Sequence, residues 1–322
     1  FASAYPGTPS TEILENMAQY KQDLYCEWSS NEKTAFEAGI GASFAGARTL
    51  VAMKHVGLNV AADALMTLTY TGVKGGFVLV VADDPAMHSS QNEQDSRHYG
   101  RFAKIPVLEP ADSQEAKDMV ESALAMSEQF DTPVILRCTT RISHGESIVT
   151  LRDRSNSPIS LGFVKNNLKY VMLPAYAKKR HTIVEQRLKD LAAFAEKSPL
   201  NTVEILDKNL GIITSGANYQ YCKGAFPEAS ILKLGQVWPL PKKMIKDFAS
   251  QVKTLFVIEE LDRFLEENIS LMGVEVKSKP EAYVEGELDT DKVREIISGE
   301  KKEVVIDTTV PPRPPVMCAG CP

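Results

Sequence analysis

The stretch Glu27–Asp63, EWSSNEKTAFEAGIGASFAGARTLVAMKHVGLNVAAD, decides how the rest of the chain is read. Ser29, Ser30 and Asn31 are all residues that favour helix N-caps, and Glu32 follows directly. Ala35, Ala38, Gly39, Gly41, Ala42, Ala45 and Gly46 then recur at three- and four-residue intervals. That spacing makes one helix face of small residues, along which a second backbone or a flat ring can lie close. Glycine inside a helix costs roughly 0.5–1 kcal/mol relative to alanine, so these glycines imply close packing that offsets the cost. Two uses of the helix are open on this pattern alone. It can simply pack tightly on a sheet with Glu32 complementing the helix dipole, or it can carry Glu32 as a functional carboxyl group. A strand over Thr49–Lys54 and a second helix led by His55, Gly57 and Asn59 follow.

Outward from this stretch, strand and helix alternate. Phe1–Tyr5, Leu24–Trp28, Phe77–Ala82, Val107–Glu109 and Pro133–Thr139 read as strands. Pro9–Tyr20, Glu32–Ala45, Leu58–Tyr70 and Gln114–Phe130 read as helices, the last opened by an Asp112/Glu115 capping box. Near-continuous apolar strands in repeated βα units imply a parallel sheet covered on both faces. Residues 151–200 are more polar and read as a connector with a charged helix over Thr182–Glu196. A second, smaller α/β unit over residues 201–308 follows, with strands at Leu210–Thr214, Ala229–Lys233 and Thr254–Glu259 and helices at Pro241–Gln251 and Glu260–Ser270. TVPPRPP (Thr309–Pro315) reads as an extended linker. The fold class expected is α/β, in two domains, which also suits a length of 322 residues.

Composition narrows the function classes. Charged residues are 24% and hydrophobic residues 43%, which suits a globular core, and the net charge is −6. With no long basic block, nucleic acid is not an expected partner. The cluster Lys178–His181 reads as a solvated helix start. No apolar run nears the ~18–20 residues that span a bilayer, so no membrane is expected. Five scattered cysteines (Cys26, Cys138, Cys222, Cys318, Cys321) do not form a disulfide framework, and a cytoplasmic location is expected. Phe1 falls inside a strand without an initiating Met and the chain stops at VMCAGCP, so a segment of something longer is expected.

Two further motifs carry candidate chemistry. In YPGTPSTE (Tyr5–Glu12) Thr8 fits a helix N-cap with Pro9 in the first helical position, where free N–H groups and hydroxyls can bind an anion. An ordinary cap with no ligand is the alternative. The long polar loop DDPAMHSSQNEQDSRHYGR (Asp83–Arg101) leaves the carboxyl end of a strand, where open parallel sheets bind ligands. It is either a solvated lid or a substrate loop. His88 and His98 lack a third ligand at a recognisable spacing, so no metal site is expected within the chain. Glu259 and Glu260 read as capping or interface residues rather than functional ones.

EWSSNEK, MKHVGLNVAAD, YPGTPSTE and ADDPAMHSSQNEQDSRHY together resemble the 2-oxo acid:ferredoxin oxidoreductase family, and within it the branch acting on indolepyruvate. The resemblance implies a thiamine-diphosphate-binding (aminopyrimidine) domain over residues 1–150, then a transketolase C-terminal-like domain. It implies that Glu32 is catalytic and contacts the pyrimidine ring of thiamine diphosphate, switching the cofactor on, with Gly57 and Asn59 beside that ring. It implies substrate contacts at Thr8 and His55, and at Arg97, whose two-donor fork suits a carboxylate. The implied reaction is oxidative decarboxylation of an aryl 2-oxo acid with coenzyme A, with a beta subunit and ferredoxin as partners in an oligomer. Mg2+ and the [4Fe-4S] clusters are expected on further sequence, and CAGCP (Cys318–Pro322) looks like the entry to a diphosphate-binding domain. A non-redox thiamine-dependent 2-oxo acid decarboxylase and a catalytically silent α/β scaffold subunit are the alternatives.

Overall fold

The computed structural model describes residues 1–153 and 161–301. In chain order the elements are β1 (Ala2–Ala4), α1 (Thr11–Met17), β2 (Cys26–Trp28), α2 (Glu32–Phe44), β3 (Thr49–Lys54), α3 (His55–Thr71), β4 (Phe77–Asp83), α4 (Arg97–Ala103), β5 (Val107–Leu108), α5 (Ser113–Phe130), β6 (Val134–Thr139) and α6 (Thr140–His144). The second half holds α7 (Asn167–Tyr170), α8 (Pro174–Ala195), β7 (Thr202–Glu204), β8 (Asp207–Ser215), α9 (Asn218–Ala225), β9 (Ala229–Leu234), β10 (Gln236–Trp238), α10 (Lys242–Ala249), β11 (Thr254–Ile258), α11 (Phe264–Ser270) and α12 (Thr290–Ser298). No helix among the described residues is long and apolar enough to cross a membrane.

The first sheet runs β10-β5-β6-β4-β3-β1-β2 and is parallel except for β10, which pairs antiparallel with β5. Every residue of β4 and β6 is buried, as two-sided coverage requires of central strands. The second sheet runs β11-β8-β9-β7, with β7 alone antiparallel. The sequence reading missed β7 and β10. Each is three residues long and joins its sheet antiparallel, outside the βα repeat that revealed the other short strands. Through β10, a segment placed in the second unit completes the first sheet, and Glu109 N–H donates to Gly235 O at 2.9 Å beside it.

Local chemistry explains the helix starts. Asn31 Oδ1 accepts from Thr34 N–H at 2.9 Å and Asp112 Oδ1 accepts from Glu115 N–H at 2.8 Å, each satisfying an orphan first-turn donor. The small face of α2 packs on the sheet. A Cβ on Gly39 would stand 2.7 Å from Val51 Cγ2, whereas one on Gly41 would meet nothing within 4 Å. The tight-packing use of this helix is therefore real at Gly39.

The segment read as a connector is built into the first unit. Arg180 and Arg187 of α8 are buried and donate to the Tyr70, Thr71 and Thr69 carbonyls, the orphan acceptors at the end of α3. Lys178 and Lys179 are exposed, but Arg180 corrects the solvated reading of that cluster.

The carboxyl ends of the two sheets meet across a buried ionic cluster. Arg137 on β6 donates to Asp83 at the end of β4 (2.6 Å) and to Glu109 after β5 (2.7 Å). Ser215, at the end of β8, donates to the other oxygen of Glu109 (2.6 Å). Arg97, 1% exposed, forks onto Asp95 and reaches Glu259 beyond β11 at 2.6 Å. Four carboxyl groups thus face two guanidinium groups. Burial raises the pKa of Asp83 and of Glu259 despite their arginines. Burial also acts on Asp95, but Arg97 and Arg137 outweigh it and hold that carboxyl below its usual range.

Next to this cluster, burial pushes Glu260 up to about 7, aided by Glu287 and opposed by the Leu288 N–H bond, Arg137 and Lys279. Glu260 Oε1 accepts from Leu288 N–H at 2.9 Å, and Oε2 is buried without a partner. Both acids read as interface residues do stand at the junction.

Two outcomes are expected. Replacing Arg97 by Met leaves Asp95 and Glu259 buried without their cation and costs about 3–5 kcal/mol in denaturant unfolding. Native Glu260 binds its proton more tightly than the unfolded chain does. Its contribution is therefore fully present below the ordinary value of 4.5 and is lost as pH rises through about 7. Glu260→Gln should flatten that fall, raising stability at pH 8 relative to pH 5 by up to about 3 kcal/mol against the parent.

Candidate active site

The candidate site lies at the carboxyl ends of β1, β2 and β3. The order β3-β1-β2 means the chain leaves β1 in one direction for β2 and returns across it to β3, which opens a crevice at this edge. The turn after β1, the N-terminus of α2 and the N-terminus of α3 surround it.

Glu32 is the first residue of α2, placed there by the Asn31 cap. Its side chain crosses to α3 and lies on the bare α-carbon of Gly57. A Cβ on Gly57 would stand 2.5 Å from Glu32 Cγ and 2.6 Å from Oε1, closer than atoms can approach. Burial raises the pKa of Glu32, opposed only by a bond from its own backbone N–H. No other described residue donates a hydrogen bond to this carboxyl group. It is a half-buried acid with a raised pKa, free to engage a ligand.

Thr8 stands in the turn after β1, but it is not a helix cap. Helix α1 begins at Thr11, and the turn is closed by its own neighbours. Ser10 Oγ donates to Gly7 O (2.7 Å) and Gly7 N–H donates to Thr11 Oγ1 (2.9 Å). These bonds displace the expected start from Pro9 to Thr11 and leave the Thr8 hydroxyl without a bond to any described residue.

His55 opens α3 and is 1% exposed. Its Nε2 lies 3.2 Å from Asn92 O. A carbonyl only accepts, so Nε2 donates to it, and Nδ1 is buried and unpartnered. Asn59 is exposed on α3 and accepts from the Tyr99 hydroxyl at 2.6 Å.

Arg97 does not join this group. Its donors are taken by Asp95, Glu259 and the carbonyls of Glu260 (3.0 Å) and Asp262 (3.2 Å). The expectation that it meets a substrate carboxylate is corrected: the guanidinium is a buried tie between the two units. The sequence pattern exposed the charge but not the four acceptors, three of which come from more than 160 residues away. Arg101 lies with its guanidinium carbon 6.0 Å from the Trp238 ring centre. His88 pairs with Glu287 (3.0 Å) and His98 with Asp262 (2.9 Å).

The loop after β4 is not a featureless lid. Asp84 accepts from His88 N–H (3.2 Å), Ser89 N–H (2.9 Å), Ser90 Oγ and Thr140 Oγ1 (2.8 Å). Burial opposes its ionisation, but these donors and Lys54 outweigh burial and hold it below the usual carboxylate range. The second half of the expected loop is α4, whose residues Arg97 and Gly100 are buried. Lys54 and Ser89, which the sequence reading passed over, sit between this loop and Thr8. Their signal was only a lysine ending an apolar strand.

A parallel α/β unit with a half-buried acid bonded to no other described residue at its strand ends, joined to a smaller α/β unit, fits the class of thiamine-diphosphate-binding oxidoreductase domains. Residues 1–188 match the family model described as pyruvate flavodoxin/ferredoxin oxidoreductase, thiamine diphosphate-binding, and the chain belongs to that family. It is 41% identical to the indolepyruvate oxidoreductase subunit IorA of Archaeoglobus fulgidus, over 99% of this chain and 56% of that protein. The corresponding subunit of Methanothermobacter thermautotrophicus is 39% identical over 100% of this chain and 55% of its own length. The chain thus spans about half the length of the curated relatives it matches. Among solved structures, the 2-oxoglutarate:ferredoxin oxidoreductase of Magnetococcus marinus shares the fold, with a TM-score of 0.69 at 17% identity over 86% of this chain and 58% of that one. A split-gene transketolase does so with a TM-score of 0.58 at 11% identity, over 92% of this chain and 91% of that one.

Gly57→Ala tests the geometry directly. The added methyl group must push Glu32 off α3, so thiamine-dependent turnover of the full-length protein should fall by at least about tenfold while the melting temperature changes little. Full activity in this variant would show that the contact is dispensable.

Proposed function

We propose that this chain is the aminopyrimidine-binding part, with its adjoining transketolase C-like domain, of a ferredoxin-dependent oxidoreductase. Its reaction is the oxidative decarboxylation of indolepyruvate-type aryl 2-oxo acids with coenzyme A, giving an aryl-acetyl-CoA and carbon dioxide. The electrons pass to ferredoxin. The observation that carries the reading is the Glu32 carboxyl seated on Gly57, its pKa raised by burial and its oxygens bonded to no other described residue.

Thiamine diphosphate, when bound, supplies the electron sink that decarboxylation of a 2-oxo acid requires. Glu32 fits its aminopyrimidine, because a desolvated carboxyl can hold a proton or yield it near neutrality, where an exposed one would be ionised. Gly57 keeps the α3 backbone low enough to leave room beside that carboxyl. Asn59 keeps its amide N–H groups available at the same helix end. The Thr8 hydroxyl, free and at the end of β1, is placed to hydrogen-bond a 2-oxo acid. His55 supports the crevice from within by holding the loop at Asn92.

Mg2+, the [4Fe-4S] clusters, a beta subunit and the coenzyme A contacts are assigned to other sequence. Cys318, Cys321 and the linker Thr309–Pro315 lie outside the described residues. The indolepyruvate assignment rests on the names of the relatives at 38–41% identity.

Glu32→Gln in the full-length protein, assayed with indolepyruvate, coenzyme A and saturating thiamine diphosphate, should lower kcat by at least about a hundredfold. Turnover equal to the parent would remove Glu32 from the mechanism and return the chain to a scaffold role.

A further inference from the structure

Lys54 is the last residue of β3 and is 6% exposed. Its ammonium donates to Ser89 O at 2.7 Å and to Ser89 Oγ at 3.1 Å, and stands 3.9 Å from Asp84 Oδ2. Ser89 Oγ donates in turn to Thr8 O at 3.1 Å. The stem of Lys54 runs beneath the same turn: a Cβ on Gly7 would come to 3.3 Å from Lys54 Cβ. The turn bearing Thr8 is therefore held by a hydrogen bond from the loop after β4 and rests on a side chain from β3. Neither support touches the Thr8 hydroxyl.

We infer that Lys54 and Ser89 are positioning residues for the 2-oxo acid, setting the Thr8 hydroxyl through the Thr8 carbonyl; the inference rests on the reading of Thr8 as a substrate contact. A hydroxyl on a tight turn is aimed by the backbone that carries it. Fixing the carbonyl of the same residue restrains its ψ and so the course of the Cα–Cβ bond that carries the hydroxyl. The ammonium serves this better than a neutral donor, because it is held by Asp84, which also grips Ser89 N–H. Lysine, serine and aspartate thus lock the loop and the turn in one register. Glu32 reaches the crevice from α2 and takes no part in this chain of bonds. The strut should therefore govern substrate affinity and leave the cofactor alone.

The test uses the full-length protein with its co-purifying subunits. Ser89→Ala removes the hydroxyl that reaches Thr8 but keeps the backbone carbonyl that Lys54 binds. Lys54→Met keeps the stem and removes the charge. In steady-state assays Ser89→Ala should raise the KM for indolepyruvate about three- to tenfold, the range that one lost hydrogen bond supports. Lys54→Met should raise it further. In both, kcat should change less than about twofold, and thiamine diphosphate affinity, read by calorimetric titration, should match the parent. A merely structural role would instead lower cofactor affinity and thermal midpoint along with substrate affinity. Should Lys54→Met fail to fold, Ser89→Ala decides. A parent that is active, is silenced by Glu32→Gln and keeps its KM in Ser89→Ala overturns the strut alone. A parent that turns over neither indolepyruvate, phenylpyruvate nor pyruvate overturns the functional reading, and the strut with it.

Discussion

The arrangement depends on one buried arginine. Arg97 sits where the carboxyl ends of two parallel sheets converge, and those ends bring acids with them: Asp83 from β4, Glu109 from β5 and Glu259 from β11. Such a junction would repel itself without cations inside it. Arg97 and Arg137 neutralise part of the charge, and burial raises the pKa of Asp83 and Glu259. Buried ion pairs add little net stability over a well-packed apolar contact, but breaking one is costly, so the cluster specifies how the units dock.

That docking settles which side chains the crevice at β1–β3 can use. With Arg97 and Arg137 committed between the sheets, the polar groups around the crevice among the described residues include Glu32, the Thr8 hydroxyl, Asn59, His55 and the Lys54–Ser89–Asp84 set. The acid is desolvated by its seat on α3 rather than by a charged neighbour. Its raised pKa therefore persists only while Gly57 lets it lie there. Two helices that follow β2 and β3, the strands on either side of β1, thus make the site. Asn31 caps one and sets the position of the carboxyl, and a missing side chain on the other sets its environment.

Much of the architecture was legible in the chain. The apolar runs of β3, β4 and β6, the Asn31 and Asp112 caps and the Gly39 and Gly57 positions all carried local signals, and the structure uses each of them. Residues whose role depends on distant partners were not legible. Arg97 looked like a free fork, because its acceptors at 259–262 cannot be inferred from its own loop. Thr8 looked like a cap, because a threonine before a proline fits that position and the competing bonds of Ser10 and Thr11 appear only in three dimensions. β7 and β10 were missed because they join their sheets antiparallel, outside the βα repeat that marks the equally short β1 and β2.

The sequence by itself determined the βα rhythm and the placing of an acid at a helix start, since these follow from backbone propensity and side-chain size within a few residues. The tertiary structure alone decided which charges are spent on holding the two sheets together and which remain for a ligand. The reason is that desolvation and pairing depend on atoms far apart in the chain, and the same arginine or lysine reads identically in sequence whether it faces water, a substrate or four buried acceptors.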